Sequence, residues 1–291
     1  MTKRAVFANA FLLFAFFAFF ASASAAFGAP AVILTSPFEG DVARAIEQAQ
    51  AGAKNGTDTG GVILGGITPH HGIALPMMAR FYERISSDSE KVRRVWLFSP
   101  DHFERAKQYA VVCGNNWQTA GWILEADAIA KSAFDRMSIA GTDTRLFAEE
   151  HGITIHIPFI ARYFPNATVV PIVLKTNIPD IALLILRNYI LGAMLENDII
   201  ILSMDLSHYK TPEEMAAEDE RTLAVLTNIE PMRTDRIDID ARRAASLVLR
   251  LFKERGAQKG VVMEHMDTSD ILGYRIESGT SYATIVYRVG N

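Results

Sequence analysis

Three apolar runs in this sequence stop at residues that can bind metal or move protons. "GGVILGGITPHHG" (60–72) runs into Pro69 and the pair His70 and His71, "RRVWLFSPDH" (93–102) ends at Asp101 and His102, and "IIILSMDLSH" (199–208) ends at Asp205 and His208. Four of the seven histidines stand at such points. Imidazole titrates near neutral pH and is the commonest metal ligand, so the chemistry on offer is an open metal site, general acid–base catalysis, or both. A single histidine after a strand is more often a surface or capping residue. Three strands delivering one each weigh against that reading. No His-x₃-His helix pair and no paired CxxC is present, which leaves a closed structural zinc site poorly supported. GxSxG, a P-loop and a strand-linked GxGxxG are also absent, removing the commonest serine-hydrolase, nucleotide and dinucleotide signals.

The elements that must position these residues alternate between strand and helix. Short β-branched runs predict strands at 61–67, 93–99, 109–114, 167–174, 197–205 and 281–289. Helical patterns fall between them at 41–53, 75–85, 125–137, 181–195, 212–229 and 241–256. This order predicts an α/β fold, with a mostly parallel sheet and helices on both faces. In such sheets the ligand crevice lies outside the carboxyl ends of the strands, where residues distant in sequence converge. The glycines of "GGVILGG" read as permitting close backbone approach within or beside the strand.

The chain has 291 residues, 49% hydrophobic and 21% charged, an ordinary globular composition. Its start differs: Lys3 and Arg4 precede a Phe-rich run and then "ASASAAFGAP", the order of a secretory signal peptide over residues 1–26, with cleavage after Ala23, Ala25 or Ala26. The competing reading, an uncleaved anchor, needs an unbroken apolar run of roughly 20 residues, and this one is shorter. The expectation is an exported protein, periplasmic or secreted, off the membrane after cleavage, with a single domain over 30–291. Loss of Lys3 and Arg4 leaves 27 basic residues against 33 acidic, a formal charge of −6. Nucleic acid is therefore not an expected partner. Cys113 is the only cysteine, so no intrachain disulfide can form, and its place within an apolar strand makes it a core residue.

Ordered blocks carry a resemblance across most of the chain. "TPHHG" (68–72), "SPDH" (99–102), "EEHGITIHIPFI" (149–160) and "SMDLSHY" (203–209) are similar to the P-H-x-G, G-P-S-H, E-H-S-x-E-x-x-x-P and S-S-D-x-S-H-Y blocks of the Memo family, whose bacterial members are called AmmeMemoRadiSam system protein B. "NNWQTAGW" (115–122) and "SGTSYATIVY" (278–287) resemble further family tracts.

The resemblance implies a fold like that of class III extradiol dioxygenases, in which two histidines and a carboxylate hold a non-haem metal with open positions. It implies His70 and His102 as metal ligands. The family's usual third ligand is a cysteine at the start of a late helix; here "IDIDARRAASLVL" puts Asp240 in that place, with Asp238 the nearby alternative. Asp240 could equally N-cap the helix beginning at Ala241. A carboxylate favours Fe(II), with Zn(II) or Mn(II) as alternatives, over Cu(I). His208 is then the candidate general acid/base, Asp205 its orienting partner or a substrate contact, and His151 a pocket residue, with Gly152 and Thr154 replacing the family's Ser and Glu. A structural role is expected for His156. Three function classes follow: a non-haem Fe(II)-dependent, dioxygenase-like oxidoreductase, a non-catalytic module binding a small-molecule or peptide ligand, and a metal-dependent hydrolase.

Overall fold

Alternation along the predicted strands assigns side chains to two faces, and the computed structural model, which describes residues 33–52 and 60–290, separates them accordingly. The described strands are β1 (Leu34–Thr35), β2 (Val62–Thr68), β3 (Arg94–Pro100), β4 (Ala110–Val112), β5 (Trp117–Thr119), β6 (Trp122–Leu124), β7 (Ala140–Thr142), β8 (Thr168–Leu174), β9 (Ile199–Ser203), β10 (His208–Lys210), β11 (Gly260–Asp267) and β12 (Gly279–Val289). From β3, Trp96 and Phe98 enter one core with Val170, Ile172, Ile200 and Leu202, while Val95 and Leu97 enter the other with Val169, Val173, Ile199 and Ile201. Helices Asp180–Ala193, Pro212–Thr227 and Arg242–Glu254 cover the first face, and Glu39–Gly52, Leu75–Ile85 and Ile157–Tyr163 the second. Burying both faces is what a parallel sheet requires.

The large sheet has the order β10-β12-β2-β9-β3-β8-β4-β7, with β11 on the other edge of β12. Its centre, β2-β9-β3-β8, is parallel throughout. Antiparallel β12 flanks β2 and antiparallel β4 flanks β8. The fold is therefore α/β with a large, mostly parallel sheet, as expected. β1, β5 and β6 form a separate small sheet.

Helix ends follow local chemistry. Thr211 and Glu214 make a reciprocal capping box ahead of Pro212, which starts the Pro212–Thr227 helix. The Asp127 carboxylate accepts from Ala130 N, so the helix predicted over 125–137 begins at Ala128 and ends at Phe134. The strand predicted over 197–205 stops at Ser203, freeing Asp205 from the ladder. β11 was not predicted: it is a largely solvent-facing edge strand, and Glu264, His265 and Asp267 erase the apolar alternation that marks a buried strand. Among the described residues no helix is long and apolar enough to cross a membrane. The expected signal peptide (1–26) lies outside the described residues.

The glycine run has the predicted purpose. Gly65 adopts φ +127°, and a Cβ there would stand 1.8 Å from the Ile200 carbonyl oxygen of β9. A Cβ on Gly66 would meet the Ile285 carbonyl oxygen at 2.2 Å. Gly65→Ala should therefore break the β2–β9 pairing and destabilise the fold by about 3 kcal/mol or more, read as a lowered urea midpoint.

Candidate metal centre

β9 lies between β2 and β3, with Thr68 opposite Ser203 and Leu202 opposite Phe98. Neighbouring strands run about 4.8 Å apart, so the residues just past the three carboxyl ends are within side-chain reach of one another. His70, His102 and Asp205 meet there. Asp240 arrives from the segment preceding the Arg242–Glu254 helix, tied to β9 by Asp205 N donating to Asp240 Oδ1 at 3.2 Å.

The His70 backbone N–H donates to Asp205 Oδ1 at 3.1 Å, and its Nδ1 lies 3.0 Å from Ser203 Oγ. His102 Nδ1 lies 2.6 Å from Glu150 Oε1, and its backbone N–H donates to Glu150 Oε2 at 3.2 Å. With each Nδ1 engaged behind the ring, each Nε2 faces inward, where the Nδ1–H tautomer presents a lone pair to a cation. The two Nε2 atoms are 3.1 Å apart, and Asp240 Oδ2 is 3.1 Å from His70 Nε2 and 3.6 Å from His102 Nε2. Three donors bound side by side at about 2.1 Å from one octahedral ion would be separated by about 3.0 Å. The residues thus fit a divalent cation. Asp240 Oδ2 adds a further sign: it is buried and takes no hydrogen bond of good geometry, although both Nε2 atoms lie within 3.6 Å of it. Its carboxyl caps no helix; Ala241 occupies that position.

The electrostatics agree. Burial works against a charged His102, yet Asp240 and Glu150 outweigh it and raise its pKa to about 10. His70 is also raised, burial being outweighed by Asp205 and Asp240. Burial would raise the Asp240 carboxyl, but the two imidazoles hold it well below the usual carboxylate range. A potential that raises two buried imidazoles also attracts a cation, which would displace their protons. His151 is the reverse: burial, then His102 and His70, lower it to about 4, so a neutral ring stands 4.1 Å from His102 and 5.1 Å from His70, centroid to centroid.

His208 lies beside the cluster and donates from Nδ1 to the Leu206 carbonyl at 2.8 Å. Asp205, fully buried, approaches His71 Nδ1 with Oδ2 at 2.6 Å rather than pairing with His208. Asp238 is not in the cluster: it takes the Lys210 ammonium at 2.8 Å, with Arg242 at 3.7 Å. Asp101 accepts from Arg105 N and Ala106 N and shapes its own loop. His156, buried against the Tyr82 hydroxyl at 3.0 Å and held neutral by burial, is structural, as expected. Cys113 is buried, and burial pushes its thiol up to about 12.

Sequence reasoning missed Glu150, Ser203 and the contribution of His71. The E-H-S-like block singles out Glu150 rather than Glu149 without giving its role: Glu150 is buried behind His102, and Glu149 pairs with Arg105 on the surface. Gly152 is coupled in space to Ser99, which stands where the G-P-S-H block has glycine: a Cβ on Gly152 would lie 2.2 Å from Ser99 Oγ and 3.0 Å from His102 Cε1. Ser99 fills the space that a side chain at 152 would need. A cavity of about 340 Å³ opens beside Asp240, walled by Pro100, Leu174, Lys175 and the start of the Arg242–Glu254 helix.

A family profile described as "Memo-like protein" matches residues 42–286, the span that carries every residue of this cluster. The chain belongs to the Memo-like family. It is similar to "MEMO1 family protein" chains of Caldivirga maquilingensis (22% identical over 236 residues, 77% of this chain and 83% of that one) and Aquifex aeolicus (26% over 204 residues, 66% and 73%). A third, from Ignicoccus hospitalis, is 25% identical over 223 residues, covering 72% and 78%.

In this Memo-like chain Glu150 orients His102 from behind and makes its Nε2 a better donor. Glu150→Gln should weaken Mn(II) or Zn(II) binding about 10- to 100-fold with the fold intact, measured by competition with a chelator.

Proposed function

We propose that this Memo-like protein is a metal-dependent oxidoreductase of the dioxygenase-like kind, acting on a small molecule that carries an anionic group. One observation carries the reading: His70 Nε2, His102 Nε2 and Asp240 Oδ2 stand 3.1, 3.1 and 3.6 Å apart, a two-histidine, one-carboxylate set. Held by these three residues, a divalent cation, Fe(II) in preference to Zn(II) or Mn(II), would supply Lewis acidity and, as iron, redox chemistry toward dioxygen.

The remaining groups take roles that need no further assumption about that cation. His208, its Nδ1 tied to a carbonyl, keeps Nε2 free to accept a proton from a substrate hydroxyl. Asp205 holds the His70 backbone in place. His151, neutral at working pH, adds a hydrogen-bonding edge without adding charge to the cluster. Phe103, half exposed near His151, gives apolar ring surface to a planar ligand. Lys175 lines the cavity beside Asp240 and suits a carboxylate or phosphate on that ligand. The proposal includes export, on the strength of residues 1–26. A carboxylate where the family usually has a thiolate would resist oxidation in that compartment.

The test is anaerobic Fe(II) titration followed by oxygen uptake with small phenolic acids. Wild type should bind iron tightly. His70→Ala, His102→Ala and Asp240→Ala should each lose binding, and Asp238→Ala should not. Absence of specific binding by wild type would end the proposal. Tight binding with zinc-dependent hydrolysis and no oxygen uptake would move it to the hydrolases. Lys175→Met should raise KM for an acidic substrate about tenfold and leave kcat nearly unchanged, as expected for a contact made equally in ground and transition states.

A further inference from the structure

Two buried polar atoms next to the first cluster have no hydrogen-bond partner. Asp205 Oδ2 and His71 Nδ1 lie 2.6 Å apart, but not along the N–H direction, so neither satisfies the other. The Asp205 side chain is fully buried, and an unsatisfied carboxylate oxygen there costs free energy that a cation would recover. His208 completes a set: one donor atom from each of His71, Asp205 and His208 lies within 4.8 Å of the others. Because His208 Nδ1 donates to the Leu206 carbonyl, its Nε2 is left with a lone pair, the same arrangement that prepares His102.

We propose that His71, Asp205 and His208 form a second divalent-cation site, joined to the first through the Asp205 carboxylate. Asp205 Oδ2 is 3.4 Å from His70 Nε2, and Asp205 also groups with His70 and Asp240 within 4.8 Å. One carboxylate thus serves both clusters, the geometry of paired ions about 3.5–4 Å apart. Two imidazoles and a carboxylate suit Mn(II), Zn(II) or Fe(II) rather than Ca(II) or Mg(II). The outer site is the weaker one, since the His71 side chain is 39% exposed whereas that of His70 is 1%. The inference rests on the first-site reading only through the shared Asp205. Occupancy of the outer site engages the His208 Nε2 that is otherwise free to take a proton, so the number of ions bound decides between proton transfer and metal ligation at that residue.

The experiment is Mn(II) titration of the chelator-stripped full chain, with stoichiometry from equilibrium dialysis and the spin state of the bound ions from electron paramagnetic resonance. Wild type should bind two Mn(II) per chain with an exchange-coupled spectrum. His71→Asn and His208→Asn should each weaken the second equivalent at least about tenfold and leave an uncoupled single-ion spectrum. His71 is partly exposed, so an unchanged urea midpoint for His71→Asn will show that the loss is local. One Mn(II) in wild type, unaffected by either variant, overturns the second site while the first stands. Two Mn(II) in wild type that neither variant disturbs also overturns it. No bound Mn(II) in wild type overturns the second site, and the first is then decided by its own Fe(II) titration.

Discussion

The parallel pairing of β9 between β2 and β3 is the constraint on which the site depends. It brings three carboxyl ends to one place, although β2 and β9 are separated by more than 130 residues in the chain. The pairing in turn requires a bare backbone at Gly65, because the Ile200 carbonyl occupies the space of a Cβ. A strand order that interposed any other strand would move His70 away from His102 by a strand spacing, about 4.8 Å, and the facing Nε2 atoms would no longer share one cation. Helices on opposite faces of the sheet leave the crevice at this edge uncovered, as open α/β sheets do.

The second organising force is electrostatic. Buried Asp205, largely buried Asp240 and buried Glu150 raise the two inner histidines, while His151, which lacks a dominant carboxylate partner, is lowered. Burial disfavours charge on every one of these groups, so the differences come from placement alone. The cluster is most stable when something positive sits within it. Each inner ring is also held from behind, His70 by Ser203 and His102 by Glu150, which fixes the tautomer and aims the inward nitrogen. The fit extends outward to Ser99 and Gly152, where the Ser99 hydroxyl is accommodated only because position 152 has no side chain.

Much of this architecture was legible in the sequence. Strands and helices covering the core are long enough for their periodicity to survive, and six strands and six helices were placed with shifts of a few residues. The exposed edge strand β11 and the short helices Thr144–Glu149, His151–Thr154 and Ile157–Tyr163 were not, because burial rather than local pattern decides their form. The histidines were legible because polar, metal-capable residues immediately after apolar strands are rare by composition and meaningful by topology.

The sequence by itself determined the α/β alternation, the delivery of His70 and His102 to strand ends, and the family blocks in their order; His208 instead opens the antiparallel strand β10. Only the tertiary structure decided which aspartate joins them. In "IDIDA" the buried Ile237, Ile239 and Ala241 alternate with Asp238 and Asp240, so periodicity places both carboxylates on one side and cannot separate them. What separates them is what lies opposite: Lys210 for Asp238, and Asp205 with His70 for Asp240. The same holds for Glu150 behind His102, and for His71 with Asp205. Local pattern encodes which face a residue presents; the partner across that face is set by non-local strand pairing, which no short window of sequence contains.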